Sequence, residues 1–279
     1  MSRIIAVSNQ KGGVGKTTTV INLATVLASH KKTVLVIDLD PQANATSGLG
    51  VEPKEGLSLY SALVNNDKID EVILGTAIEN VNIIPSEVNL VGVEIEIART
   101  PNHLHCISRV LKPISDSQAF DYILIDCPPS LGVLMSNALT AADSVLVPMQ
   151  CEYYAMEGLS IIMGLVERIR NSGNNPNLTV SGILMTMYAR TRLADEVVSQ
   201  VKEHYPKEIY ETLIPRSIRA GEAPSYGLPV VVYAPDSSVA EGYFAFGKEF
   251  LEREKAVMTT PPANSYIDLP NEPRSSNLA

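Results

Sequence analysis

The chain has 279 residues, 45% of them hydrophobic and 19% charged, with a formal net charge of −9. That suits one globular domain near the upper end of the size range, or two small ones, with a substantial core. It excludes nucleic-acid binding by bulk electrostatics, so any such role needs a local basic surface. Cys106, Cys127 and Cys151 form no C-x-x-C pair, which argues against a disulfide framework or a structural zinc site and for reduced, partly buried thiols. The N-terminus does not resemble a signal peptide, and no apolar run approaches the ~20 residues of a membrane span. A cytoplasmic protein is expected.

In chain order, short apolar runs at 3–9, 33–40, 81–86, 121–129, 144–150 and 179–186 are rich in Val and Ile and continuously apolar. Such runs predict strands buried on both faces. Between them, 16–29, 156–171 and 194–204 have apolar residues at helical spacing. The alternation predicts a single doubly wound α/β domain over 1–255, a mostly parallel sheet flanked by helices. Residues 256–279 hold Pro261, Pro262, Pro270 and Pro273 with almost no apolar periodicity, and are expected to form a flexible tail or surface arm.

The stretch SNQKGGVGKTTT, Ser8 to Thr19, joins the first strand to the first helix. This is the context of a phosphate-binding loop. Gly12, Gly13 and Gly15, with Val14 between, let the backbone turn tightly and bring its N–H groups to phosphate oxygens. The helix opening near Lys16 adds unpaired N–H groups and about half a positive charge. Lys16 supplies a cation to the outer phosphates, and the Thr17 hydroxyl, followed by Thr18, can ligate Mg2+. The usual G-x-x-x-x-G-K-[ST] spacing fails, however: Gln10 stands where the first glycine should be, and a second lysine, Lys11, precedes the glycines.

Asp38 and Asp40 stand at the end of the second run, and Asp126 at the end of the run YILID. Ligands of α/β sheets bind at the carboxyl ends of strands, so these acids point toward the same crevice as the loop. Asp38 and Asp40 either cap the turn before Pro41 or take part in the chemistry. His30, His103, His105 and His204 are scattered, and the HLH of 103–105 lacks nearby acidic ligands, which favours a surface or core role over a metal site.

KGGVGKTT, Lys11 to Thr18, resembles the deviant Walker A motif K-G-G-x-G-K-[ST] of the ParA/MinD ATPases. The resemblance covers about residues 3–255 and is closest to short ParA (Soj) partition ATPases, through DPQANATSGLG, CPPSLGVLMSNAL, EYYAMEGLS and IPRSIRAGEAPSYGLPV. It implies ATP and Mg2+ as cofactors, with Lys11 reaching across a two-fold axis to the phosphates of a second subunit, or acting in cis. It implies that Asp40 orients the attacking water, that Thr17, Asp38 and Asp126 serve the metal, and that Pro215 and Arg216 lie near the adenine. It further implies an ATP-dependent homodimer that binds DNA non-specifically through Arg190, Arg192 and Arg219, is stimulated by a ParB-type centromere-binding protein, hydrolyses ATP slowly without it, and is nucleoid-associated. The chain begins at its first strand, so the operator-reading domain of longer plasmid relatives is not expected.

Residues 190–222 carry six basic and six acidic side chains, so these arginines either face DNA or pair with nearby acids. Three other family roles compete. A MinD-type membrane switch needs an amphipathic basic C-terminal helix, which the proline-interrupted tail does not suggest. A nitrogenase-like reductase needs cluster-ligating cysteines. A tyrosine kinase needs a tyrosine-rich tail, where only Tyr266 stands after Met258. A nucleotide-gated scaffold for another cargo is the remaining alternative.

Overall fold

The computed structural model describes residues 2–52, 54, 56–64, 68–98 and 100–259, with side chains as far as Val257. Its strands are β1 (Arg3–Val7), β2 (Val34–Asp38), β3 (Leu74–Gly75), β4 (Val81–Ile84), β5 (Tyr122–Asp126), β6 (Ser144–Gln150), β7 (Thr179–Tyr188) and β8 (Ile209–Pro215). Among the described residues these eight form one sheet in the order β3-β4-β2-β5-β1-β6-β7-β8. Every neighbouring pair is parallel except β3 with β4.

The helices are α1 (Lys16–Ser29), α2 (Asn44–Gly48), α3 (Leu59–Val64), α4 (Leu90–Ala98), α5 (Cys106–Ser117), α6 (Val133–Ala141), α7 (Ala155–Asn171), α8 (Arg192–His204), α9 (Ile218–Glu222), α10 (Val230–Tyr233) and α11 (Ser238–Thr259). α11 runs to Thr259, past the boundary drawn at 255; residues 260–279 lie outside the described residues.

The six predicted strands are present, and their continuous apolarity has a direct cause. Successive strand residues point to opposite faces, and both faces are covered. Ile4, Ala6, Leu35, Ile37, Ile123 and Ile125 pack with α5, α6, α7 and α8 on one side. Ile5, Val7, Val34, Val36 and Leu124 pack with α1 and α11 on the other. Phe246 and Phe250 of α11 are wholly buried there, each contributing about 1.5–3 kcal/mol of hydrophobic stabilisation. β8 carries no continuous apolar run because it is an edge strand, with Glu211 exposed and Thr212 half-buried.

The chain leaves β1 for β2 on one side, and later crosses from β5, which also neighbours β1, to β6 on the other. The order reverses at β1, which opens a crevice at its carboxyl end, where α/β sheets bind ligands.

Candidate nucleotide site and basic surface

The loop between β1 and α1 is held at both ends. Asn9 Nδ2 donates to the Pro148 carbonyl at 2.8 Å, and Asn9 Oδ1 accepts from the Lys11 N–H at 3.0 Å. Thr186 of β7 donates through Oγ1 to the Val14 carbonyl at 2.7 Å, with both residues buried. The peptide is planar and trans, so anchoring this carbonyl aims the Gly15 N–H the opposite way. Gly13 and Gly15 have φ of 74° and 88°, a region that favours glycine. A Cβ on Gly12 or Gly13 would meet nothing within 4 Å, so the loop is an open cradle.

α1 starts at Lys16 with Gly15 as its N-cap, no side-chain cap and no acid in its first turn. α8, by contrast, is capped by Thr191 Oγ1. The α1 N–H groups are left for an anion. Lys16 is buried, and its Nζ donates to the Lys11 carbonyl at 3.1 Å, inside the loop. Burial lowers its pKa, against Asp126, Cys127 and Asp40, which raise it. Lys11 lies exposed at the rim, ion-paired with Glu152.

Asp38 and Asp126 sit side by side in register on β2 and β5, both fully buried. Asp126 Oδ2 accepts from Thr17 Oγ1 at 2.7 Å, while Oδ1 has no hydrogen-bond partner. Buried polar atoms are rarely left so. An orphaned carboxylate oxygen beside a threonine hydroxyl at the base of a phosphate cradle is a donor set that fits Mg2+, a hard cation held by oxygen ligands. Burial, and then the neighbouring Asp38, push the Asp126 carboxyl well above its ordinary range.

Asp38, to which the resemblance gives a part in supporting the metal shell, has both oxygens engaged by protein donors. Its Oδ2 accepts from the Thr46 N–H at 2.8 Å and from Thr46 Oγ1 at 2.7 Å, and its Oδ1 from the Asp40 N–H at 3.2 Å. It braces the first turn of α2, because its burial leaves protein donors as its partners. Burial nevertheless lifts its pKa to about 6.

Asp40 is half-buried where the chain leaves the sheet, and its Oδ1 accepts from the Gln42 N–H at 3.0 Å, so it does cap the turn. Its charge also acts on Lys16, Asp38 and Asp126, which places it on the same crevice. The loops after Asp40 and Asp126 share a cavity of about 180 Å³ lined by Pro41, Pro128, Ser130, Leu90, Val91, Glu94 and Leu134.

The remaining predicted residues follow the carboxyl ends of β7 and β8. Tyr188 and Pro215 pair across these strands, and the Arg216 N–H donates to the Tyr188 carbonyl at 3.0 Å. Arg190, Arg192, Arg216 and Arg219 are all exposed on the segments that follow. Arg219 pairs with Glu222 at 2.9 Å, the intramolecular alternative open in the sequence. The structure therefore gathers Lys11, the loop glycines, Lys16, Thr17, Asp40 and Asp126 in one crevice and sets the arginines beyond its β7–β8 end.

Sequence reasoning missed the supports Asn9, Thr46, Glu152 and Thr186. Asn9, Thr46 and Glu152 stand in motifs already marked, but nothing near Thr186 ties it to the loop. Cys106, Cys127 and Cys151 are buried and unpaired. Among the described residues no three His, Cys, Asp or Glu cluster as a metal site, and no helix is long and apolar enough to cross a membrane.

Comparison with known proteins gives the family. A family model described as an AAA domain matches residues 2–180. The sporulation initiation inhibitor protein Soj of Bacillus subtilis (strain 168) is 47% identical over 251 residues, covering 89% of this chain and 98% of its own length. The chromosome partitioning protein ParA of Myxococcus xanthus is 44% identical, covering 91% of this chain and 89% of its own length. A Mycobacterium smegmatis cobyrinic acid a,c-diamide synthase, solved with an ATP analogue and magnesium, superposes with a TM-score of 0.80 at 32% identity, covering 95% of this chain and 100% of that one. The partition proteins match at the higher identity. The chain belongs to the Soj/ParA family of chromosome-partitioning P-loop ATPases.

Proposed function

We propose that this protein is a DNA-partition ATPase whose ATP-bound dimer binds DNA without sequence preference and hydrolyses ATP when a ParB-type partner engages it. The observation that carries the ATPase reading is the Thr17–Asp126 pair, with its orphaned buried oxygen, beneath an uncapped helix. Bound Mg2+·ATP supplies the phosphoanhydride and the charge neutralisation that phosphoryl transfer to water requires.

The chain's own residues do the rest. The amides of residues 12–18 and the α1 N-terminus orient the phosphates. Lys16, desolvated and partly balanced by Asp126, places a fixed cation against them. Thr17 Oγ1 and Asp126 hold the metal shell, with Asp38 as brace rather than ligand. Asp40 accepts a hydrogen bond from the attacking water and fixes its approach. Lys11, at the rim, serves the partner subunit's nucleotide once its ion pair with Glu152 opens. Pro215 and Arg216 flank the adenine, and Arg190, Arg192 and Arg219 face DNA phosphates, for which the guanidinium fork is suited.

The test measures hydrolysis, dimerisation and DNA binding in wild type and Asp40→Ala, with ATP and with ADP. Asp40→Ala should bind ATP and dimerise while its hydrolysis falls about 10²–10⁴-fold. Wild type should bind DNA with ATP only. If two arginines per protomer contact phosphates, log K should fall against log salt with a slope of about −3.6. Hydrolysis by Asp40→Ala at the wild-type rate, or salt-insensitive binding, overturns the corresponding assignment.

A further inference from the structure

Two helices rise from the nucleotide crevice. α1 starts at the phosphate loop, and α2 starts just after Asp40, its first turn held to buried Asp38 through Thr46. Both helices also hold the segment that carries Arg219.

The first attachment is a contact between backbones. α2 ends in a turn at Gly50, with φ of 72°, and the 3₁₀ turn after α9 (Ala223–Tyr226) ends at Gly227, with φ of 65°. A Cβ on Gly227 would lie 2.8 Å from Gly50 Cα and 3.5 Å from the Ser47 carbonyl oxygen, and one on Gly50 would lie 3.0 Å from the Gly227 carbonyl oxygen. Both the left-handed conformation and the separation demand glycine on each side.

The second attachment is a buried hydrogen-bond relay. Asn22 Oδ1 accepts from the Val231 N–H at 3.0 Å, and Asn22 Nδ2 donates to the Thr18 carbonyl at 2.8 Å. Thr18 belongs to the first turn of α1. Tyr226, beside Gly227, stacks on Tyr233, beyond Val231, at 4.8 Å between ring centroids. Tyr233 Oη reaches Glu222, the partner of Arg219, at 3.5 Å. Residues 218–233 thus form one unit clamped at two points to helices that start beside the nucleotide crevice.

We propose that Asn22, Gly50 and Gly227 are positioning residues that make the pose of Arg219 depend on the nucleotide: a shift of α1 or α2 at the crevice is carried through these two contacts to the arginine segment. The inference rests on the DNA-binding reading of Arg219 and supplies its regulation. Backbone contacts and hydrogen bonds that join two sites through one packed element can carry energetic coupling between them.

The experiment uses the full chain with ADP and with a non-hydrolysable ATP analogue. Amide hydrogen exchange of wild type should differ between the two nucleotides within 218–233. In Gly227→Ala and Asn22→Ala, analogue binding and dimerisation should persist, while the DNA-affinity ratio between analogue and ADP falls about tenfold. Gly173→Ala is the control for backbone strain alone, since Gly173 has φ of 76° with nothing within 4 Å of its Cβ position, and its ratio should match wild type.

Asn22→Ala keeps the test decisive if Gly227→Ala does not fold, and the wild-type exchange needs no variant. An unchanged ratio in a folded Gly227→Ala or Asn22→Ala, an equal fall in Gly173→Ala, or wild-type exchange in 218–233 that ignores the nucleotide overturns the proposal. Nucleotide-dependent exchange in 218–233 without DNA binding in any state upholds the mechanical link and rejects the DNA reading instead.

Discussion

Replacing Thr186 by valine removes one oxygen and keeps the shape of the side chain. In the native chain that hydroxyl donates to the Val14 carbonyl at 2.7 Å, and both residues are about 1% exposed. A buried carbonyl that loses its partner costs about 1–3 kcal/mol. The Val14–Gly15 peptide can recover part of that by rotating toward another donor, which turns the Gly15 N–H out of the phosphate cradle. Either way the loop must be reordered when nucleotide binds. If the whole cost falls on binding, nucleotide affinity weakens about 5- to 150-fold. Thr186→Ser keeps the donor and should stay near wild type. Titration of ADP by calorimetry measures the affinity, and urea unfolding without nucleotide measures how much of the cost falls on the fold. Wild-type affinity together with wild-type stability in Thr186→Val would refute the reasoning, because the lost hydrogen bond would then register in neither place.

Removing the metal should expose the role of Asp126: ATP should raise the melting temperature of wild type more with Mg2+ than with a chelator, and Asp126→Ala should abolish that difference. An equal Mg2+ effect in the variant would show that Asp126 is no part of the metal site. Glu249 predicts an acid limb. Burial by itself would raise its pKa, but the Glu211 and Thr212 N–H groups, Thr212 Oγ1 and Arg253 outweigh burial and hold it below its ordinary value of 4.5. A depressed carboxylate contributes stability above its unfolded pKa and loses it as pH falls through the folded one. Glu249→Gln should therefore cost about 1.5–3 kcal/mol near neutrality, with the gap to wild type narrowing below about pH 4.5. A gap constant between pH 7 and 3, read by urea unfolding, contradicts this.

The sequence by itself determined the strands buried on both faces, since a continuous Val/Ile run such as YILID is stable only where helices cover both sides of the sheet. It also determined the phosphate loop, because glycines at 12, 13 and 15 before Lys16 and Thr17 encode a backbone conformation locally, and it placed Asp40 and Asp126 at strand ends facing one crevice. β8 escaped because an edge strand need not be continuously apolar, and its Glu211 and Thr212 instead receive the Glu249 contacts. The last turn of α11, as far as Thr259, escaped because Lys255, Ala256 and Val257 are exposed there, so no buried apolar pattern marks it in the sequence.

Only the tertiary structure decided which partners each acid meets. Asp38 and Asp126 look alike in sequence, each closing an apolar run. Yet Thr46 and the Asp40 amide saturate one, while the other keeps an oxygen with no partner. The same holds for Thr186 and Val14, 172 positions apart, and for the glycine contact between 50 and 227. Hydrogen bonds and backbone contacts between residues this distant depend on which strands and helices the fold makes neighbours, and no local pattern in the chain records that.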